Sequence, residues 1–132
     1  MICRFGCLTA SILGPLSGPA AHLQEADQKK DTIEFGLVFA NKTSRDILLK
    51  DELEGINKRQ NVNFKLTFTV DKEEEGWTGA TGHVSKEMIS ATCPAPSEDT
   101  LMLTCGPPVM CRKVLLPMLL EMGYNEDNIF DF

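Results

Sequence analysis

The sequence predicts an α/β domain: a parallel sheet with helices on both faces, in three layers. Three observations carry this. Residues 33–40 are apolar and aromatic nearly throughout, the pattern of a strand covered on both faces. Such runs alternate with amphipathic helical stretches, which is how a parallel sheet with right-handed crossovers reads. Finally, Leu101-Met102-Leu103 passes through Thr104 into Cys105-Gly106-Pro107-Pro108, so a short buried strand runs into a turn and a helix start. Gly106 permits the turn, and proline in a first helical turn forfeits no hydrogen bond. A thiol is thereby set at the carboxyl end of a strand, the edge of an open α/β sheet where ligands bind.

The elements follow in order. Residues 46–59 read as a helix, with Ile47, Leu48, Leu49, Leu53 and Ile56 in one stripe and Lys50, Asp51, Glu54 and Lys58 outward. Residues 62–70 alternate, with Val62, Phe64, Leu66, Phe68 and Val70 on one side and Asn63, Lys65, Thr67 and Thr69 on the other. That pattern predicts a half-exposed strand near a sheet edge. Residues 71–82 are an acidic, glycine-containing loop, and Ser85 is an N-cap for a short helix to residue 90. After a proline-rich connection, residues 100–104 form the next strand. Residues 109–122 form a helix that Gly123 stops and Pro117 kinks, and residues 128–132 form a last strand. The four recognisable strands, near 33–40, 62–70, 100–105 and 128–132, are expected to be parallel.

At 132 residues the chain suits one domain with a real core. Its 42% hydrophobic and 24% charged content is that of a globular protein. The net charge of −6 argues against nucleic acid and anionic membrane surfaces, both of which need clustered Lys and Arg. Five cysteines occur, with no Cys-x-x-Cys pair, and the chain has two histidines. No metal site is expected, and the cysteines read as reduced cytosolic thiols. Residues 1–21 carry a single basic residue, Arg4, and an apolar stretch broken by Gly14, Pro15, Gly18 and Pro19. This fits neither a membrane span nor a clean signal peptide, so a cytoplasmic location is expected.

Cys105-Gly106-Pro107-Pro108, together with Phe39-Ala40-Asn41-Lys42-Thr43, Asp46-Ile47-Leu48-Leu49, Glu52-Leu53, Gly76-Trp77, Gly82-His83-Val84 and Phe130-Asp131-Phe132, resembles the nucleotide-binding half of the NADH–cytochrome b5 reductase family. The family includes the reductase domain of nitrate reductase. The resemblance covers roughly residues 30–132. It implies a ferredoxin-reductase-like NAD-binding domain over 31–132, preceded by an atypical segment, 1–30. The family's domain has five parallel strands, the first in the middle of the sheet and followed by a Gly-Gly-Thr-Gly-x-Thr-Pro turn for the pyrophosphate. That motif does not occur here. In its place stand Leu8 to Leu13, the turn Gly14-Pro15-Leu16-Ser17-Gly18-Pro19 and the helix-forming Ala20-Ala21-His22-Leu23-Gln24. This segment is either a degenerate central strand and turn or unrelated sequence. The second reading is preferred, because such cadence is common in short apolar runs. The family's flavin β-barrel and its Arg-x-Tyr-Ser/Thr motif also have no counterpart in these residues.

The resemblance implies that Cys105 stands beside the nicotinamide, with Gly106 and Pro107 shaping the wall of that pocket and with Pro108 and Met110 among the cofactor-binding residues. Asp71 would accept hydrogen bonds from the adenosine ribose and repel a 2′-phosphate, which favours NADH, although Lys72 beside it weakens that repulsion. Asn41, Lys42 and Thr43 would lie near the adenosine half, and His83 near the nucleotide with no proton-transfer role. The plainer alternatives are a small buried thiol, a loop-starting aspartate, a polar turn and a structural histidine.

The implied function is electron transfer from NADH through FAD to a cytochrome b5-like haem protein. Cytochrome b5 is itself acidic, so an acidic module alone matches it poorly. A second possibility is a non-catalytic remnant or interaction module lacking flavin. A third, a thiol redox protein using Cys105 and Cys111, is disfavoured by the missing Cys-x-x-Cys. With neither glycine turn nor flavin domain in these residues, the polypeptide by itself is expected to show no NADH–ferricyanide activity.

Overall fold

The computed structural model describes residues 5–9, 34–59, 63–72 and 75–131. Its six strands are β1 (Phe5–Thr9), β2 (Glu34–Asn41), β3 (Asn63–Val70), β4 (Ala80–Thr81), β5 (Met102–Cys105) and β6 (Ile129–Asp131). The helices are α1 (Lys50–Asn57), α2 (Lys86–Thr92), α3 (Pro108–Met110) and α4 (Leu116–Glu121). All six strands form one sheet in the order β4-β3-β2-β1-β5-β6.

The parity of β2 shows how the layers arise. Phe35, Leu37 and Phe39 join apolar clusters with Leu53, Ile56, Phe64 and Phe68, on the α1 face. Val38 and Ala40 instead join Ile89, Met102, Leu115 and Leu119, on the face of α2 and α4. A strand that buries both faces needs apolar residues at every position, as the unbroken run in the sequence predicts. On the α2 face Gly36 has no room for a side chain, since a Cβ there would lie 2.7 Å from the Cys93 Cα.

The four recognisable strands point the same way. β2 pairs parallel with β3, and β5 pairs parallel with β6. The central slot departs from the all-parallel expectation. β1 lies between β2 and β5 and is antiparallel to both, with Gly6 opposite Phe39 on one side and Cys105 on the other. The N-terminal sequence therefore does supply a central strand. The described strand is Phe5–Thr9, which takes in the first two residues of the 8–13 run while residues 10–13 lie outside the described residues, and it runs in the opposite direction to that expected of the family's first strand. An antiparallel strand satisfies both neighbours' backbone groups as fully as a parallel one. The turn at Gly14–Pro19 and the residues to Gln24 lie outside the described residues.

Four further expectations are corrected. The helix foreseen from residue 46 starts at Lys50, after a 3₁₀ turn at Ser44–Asp46 and a left-handed Leu49 (φ 54°). The helix foreseen over 109–122 does not simply kink. It passes through a π-helical segment, Cys111–Leu115, between α3 and α4. Pro117 lacks an N–H and its ring crowds the carbonyl four residues back, and the wider turn accommodates this. β3 is not half-exposed along its whole length, because its threonine face is covered by α2. Thr69 is fully buried, and Thr67 and Thr92 share a hydroxyl hydrogen bond of 2.5 Å. β4, of two residues, is a strand the sequence reading did not foresee. Ser85 does cap α2, its Oγ accepting from the Met88 N–H, and Gly123 follows α4 at φ 92°.

Two outcomes follow. Gly36→Ala forces backbone apart where neither side can yield, and should lower the urea-unfolding free energy by roughly 1–3 kcal/mol; an unchanged midpoint would contradict the packing described. Leu49 is 57% exposed in a conformation that costs an L-residue about 1–2 kcal/mol. Leu49→Asn should therefore raise stability by roughly 0.5–1 kcal/mol in the same assay.

Candidate functional site

The carboxyl edge of the sheet gathers the polar residues that the apolar strands leave at their ends. Backbone hydrogen bonds lock the first part of this edge. The Asp71 N–H donates to the Asn41 carbonyl at 3.1 Å, joining the ends of β3 and β2. The Gly82 N–H donates to the Val70 carbonyl at 2.7 Å, and the Thr69 hydroxyl donates to the Gly82 carbonyl at 2.8 Å. Gly82 has φ 87°, a conformation glycine adopts without strain, and the chain turns there to deliver His83.

These ties enclose a recess of about 130 Å³ lined by Ala40, Asn41, Lys42, Asp71, Gly82, His83, Val84 and Met110. Ala40, Asn41 and Val84 form its less exposed part, whereas Lys42, Asp71 and His83 are exposed. Asn41 is only 3% exposed, and neither its Nδ2 nor its Oδ1 has a hydrogen-bond partner. Leaving a buried polar group unmet costs about 1–3 kcal/mol, which makes this amide a candidate ligand contact.

Cys105, Gly106, Pro107 and Pro108 occupy the same edge on the far side of β1. Three strand intervals separate β3 from β5, about 14 Å at the usual spacing. Asp71 follows β3 and Cys105 ends β5, two strands of the same direction, so they share one edge as the sequence reading expects. Met110, at the end of α3, reaches from the Cys105 turn back to the recess and links the two parts. The structure thus brings Asn41, Asp71, His83 and Met110 together in one recess, while Cys105, Gly106, Pro107 and Pro108 stand apart from its walls. Thr43 turns away from it, its hydroxyl donating to Asp46 Oδ2 at 2.9 Å within the 3₁₀ turn.

The thiols differ sharply. Cys105 is exposed, whereas Cys93 and Cys111 are buried. Burial, reinforced by the Asp131 carboxylate, pushes the Cys111 thiol up to about 11. It is therefore a protonated core group at neutral pH and no partner for thiolate chemistry. Asp131 is also held by Arg112, whose Nε donates to Oδ2 at 3.3 Å.

A larger groove of about 460 Å³ runs between α1, β3 and the segment carrying Trp77, with the Lys50 ammonium 5.2 Å from the Trp77 ring centre. It lies away from the carboxyl-edge recess and gathers none of the residues singled out above. The sequence reading missed Thr69, whose buried hydroxyl holds the Gly82 turn. Nothing in an alternating strand distinguishes such a threonine from a solvent-facing one. Among the described residues no group of His, Cys, Asp and Glu could hold a metal ion, and no helix is long and apolar enough to cross a membrane.

Comparison with known proteins agrees with this geometry. The oxidoreductase NAD-binding domain family matches residues 14–115. NADH-cytochrome b5 reductase 2 of Danio rerio is 39% identical over 107 residues, covering 81% of this chain and 34% of that protein. NADH-cytochrome b5 reductase 1 of Bos taurus is 42% identical over 103 residues, covering 78% of this chain and 34% of that protein. The chain thus spans about a third of the length of these relatives. The crystal structure of the cytochrome b5 reductase domain of Ulva prolifera nitrate reductase superposes with a TM-score of 0.75 at 29% identity, covering 84% of this chain and 43% of that one. With its sheet, its polar carboxyl edge and these matches in agreement, the chain belongs to the oxidoreductase NAD-binding domain family, in its NADH–cytochrome b5 reductase branch.

Proposed function

We propose that this chain provides the NADH-holding half of a flavin-dependent reductase that passes electrons to a cytochrome b5-type haem protein. The observation that carries this reading is the single polar edge. A recess of about 130 Å³ with Asp71 on its rim lies on one side of β1, and an exposed thiol in a Cys-Gly-Pro-Pro turn on the other. An extended dinucleotide fits that layout, its ribose at Asp71 and its nicotinamide at Cys105. The unpartnered amide of Asn41 suits a ligand that is itself polar. The relatives' names supply the acceptor, cytochrome b5. The domain division, with 31–132 as the nucleotide-binding unit, belongs to the same reading.

When bound, NADH supplies a hydride and FAD accepts it. The chain's own residues position and screen. The Asp71 carboxylate accepts from ribose hydroxyls and fixes the adenosine end. Gly106 and Pro107 offer a wall without a bulky side chain, so a ring can lie close to backbone. Cys105 is a small, polarizable contact at the nicotinamide, and it leaves space for a flavin opposite. Met110 spans the two ends and keeps water from the middle of the ligand. None of these groups is assigned a proton transfer. A non-catalytic interaction module is not favoured, since nothing in the edge geometry calls for it.

Two outcomes test this. The Asp71→Ala variant should bind NADH about tenfold more weakly in a fluorescence titration, the loss of charge-assisted hydrogen bonds worth roughly 1.5 kcal/mol; equal affinity would remove Asp71 from the site. In the native protein, alkylation followed by peptide mass analysis should label Cys105 readily and spare Cys93 and Cys111 until urea unfolds the chain. NADH should slow the labelling of Cys105, and labelling unaffected by saturating NADH would contradict the placement of the nicotinamide.

A further inference from the structure

A carboxylate on the last strand holds the helix that follows Cys105, and it lies outside the recess. In the parallel register of β5 and β6, Asp131 stands opposite Thr104, the residue before Cys105. Thr104 is buried and its hydroxyl donates to the Phe130 carbonyl at 3.4 Å, so the end of β5 is tied to β6 one residue before Asp131. Beyond the turn, the Met110 and Cys111 N–H groups donate to the Pro107 carbonyl at 2.9 and 3.1 Å and close the first turn of the helix. The next side chain, Arg112, reaches back to β6 and donates from Nε to Asp131 Oδ2 at 3.3 Å. Arg112 is 74% exposed, so this pair alone is weak. Cys111 adds to it from the inside: it is 2% exposed, lies beside the same carboxylate, and carries a protonated thiol that can donate there. One carboxylate thus meets both residues that follow Met110.

From this cluster we propose that Asp131 is a positioning residue for the nicotinamide end of the site, holding the wall of Cys105, Gly106 and Pro107 in place through Arg112 and Cys111. The inference rests on the reading that puts the nicotinamide at Cys105. The wall is a turn between two anchored ends, the β5 ladder before it and the helix start after it. Asp131 touches the second anchor and stands opposite the first. Without its carboxylate the helix keeps its own hydrogen bonds but is free to pivot about Pro107. A gap of about 0.5–1 Å between the wall and a flat ring forfeits a quarter to a half of their dispersion attraction. The adenosine end, held by Asp71 on the other side of β1, does not depend on this tie.

The test is titration of the full chain and of Asp131→Ala, Arg112→Ala and the double variant with NADH, by fluorescence, and with 5′-AMP, by calorimetry. The second ligand shares the adenosine end and lacks the nicotinamide. A variant that merely unfolds in part lowers both affinities alike and leaves their ratio intact. The ratio of NADH to 5′-AMP affinity should fall about threefold in Asp131→Ala. It should fall by less in Arg112→Ala, and no further in the double variant than in Asp131→Ala, as for residues sharing one contact. Asp131→Asn, which keeps an acceptor for Arg112, should restore part of the ratio. If NADH binds the native chain more tightly than 5′-AMP does, and the ratio is unchanged in Asp131→Ala or the losses add in the double variant, the inference is overturned and the nicotinamide site stands. If the native chain binds 5′-AMP as tightly as NADH, the placement of the nicotinamide at Cys105 is refuted, and this inference with it.

Discussion

The middle of the sheet is the constraint on which everything else depends. β2 with β3 and β4 forms one parallel block, β5 with β6 forms another, and within the sheet β1 joins the two. Without a strand between them, the facing backbone groups of β2 and β5 would be buried and unpaired, at about 1–3 kcal/mol each. Several such groups rival the whole stability of a small domain, roughly 5–15 kcal/mol. Phe5–Thr9 meets that need with five residues and pairs on both sides. Its direction is secondary to its presence, because ladder bonds form in either sense.

The site inherits this arrangement. Asp71 and the Asn41 recess belong to one block and the Cys105 turn to the other, so β1 sets the distance between these two parts of the carboxyl edge. The helix carrying Met110 starts from the second block and reaches the first, which makes it the second tie between them. The parts of the candidate site are backbone-fixed: two strand ends, a left-handed glycine and a proline-led helix start. The side chains they present are short or exposed.

Much of this was legible in the sequence, and the reasons are particular. β2 was plain because a strand buried on both faces has no polar break. α2 was plain because Ser85 stands where a cap must, and α4 ended where Gly123 allows a left-handed residue. The start of α1 was not legible. Ile47, Leu48 and Leu49 continue the helical stripe, yet Leu49 adopts φ 54° and Leu48 and Leu49 are exposed. The direction of β1 was not legible either, since strand direction is set by its connections and partners and not by its own five residues. Of the residues singled out in the sequence, Asn41, Asp71, His83 and Met110 line one recess. Thr43 was foreseen and instead closes its own turn with Asp46. Its hydroxyl could serve a ligand or the chain, and the choice depends on a backbone turn no local pattern specifies.

The central claim is that one dinucleotide spans both blocks across β1. Amide hydrogen exchange of the native chain with and without saturating NAD⁺ tests it most directly. Protection should rise together around residues 41–42, 71–72 and 82–84 on one side and 105–110 on the other. Protection confined to one of these sides, or appearing instead along the groove between Lys50 and Trp77, would contradict it.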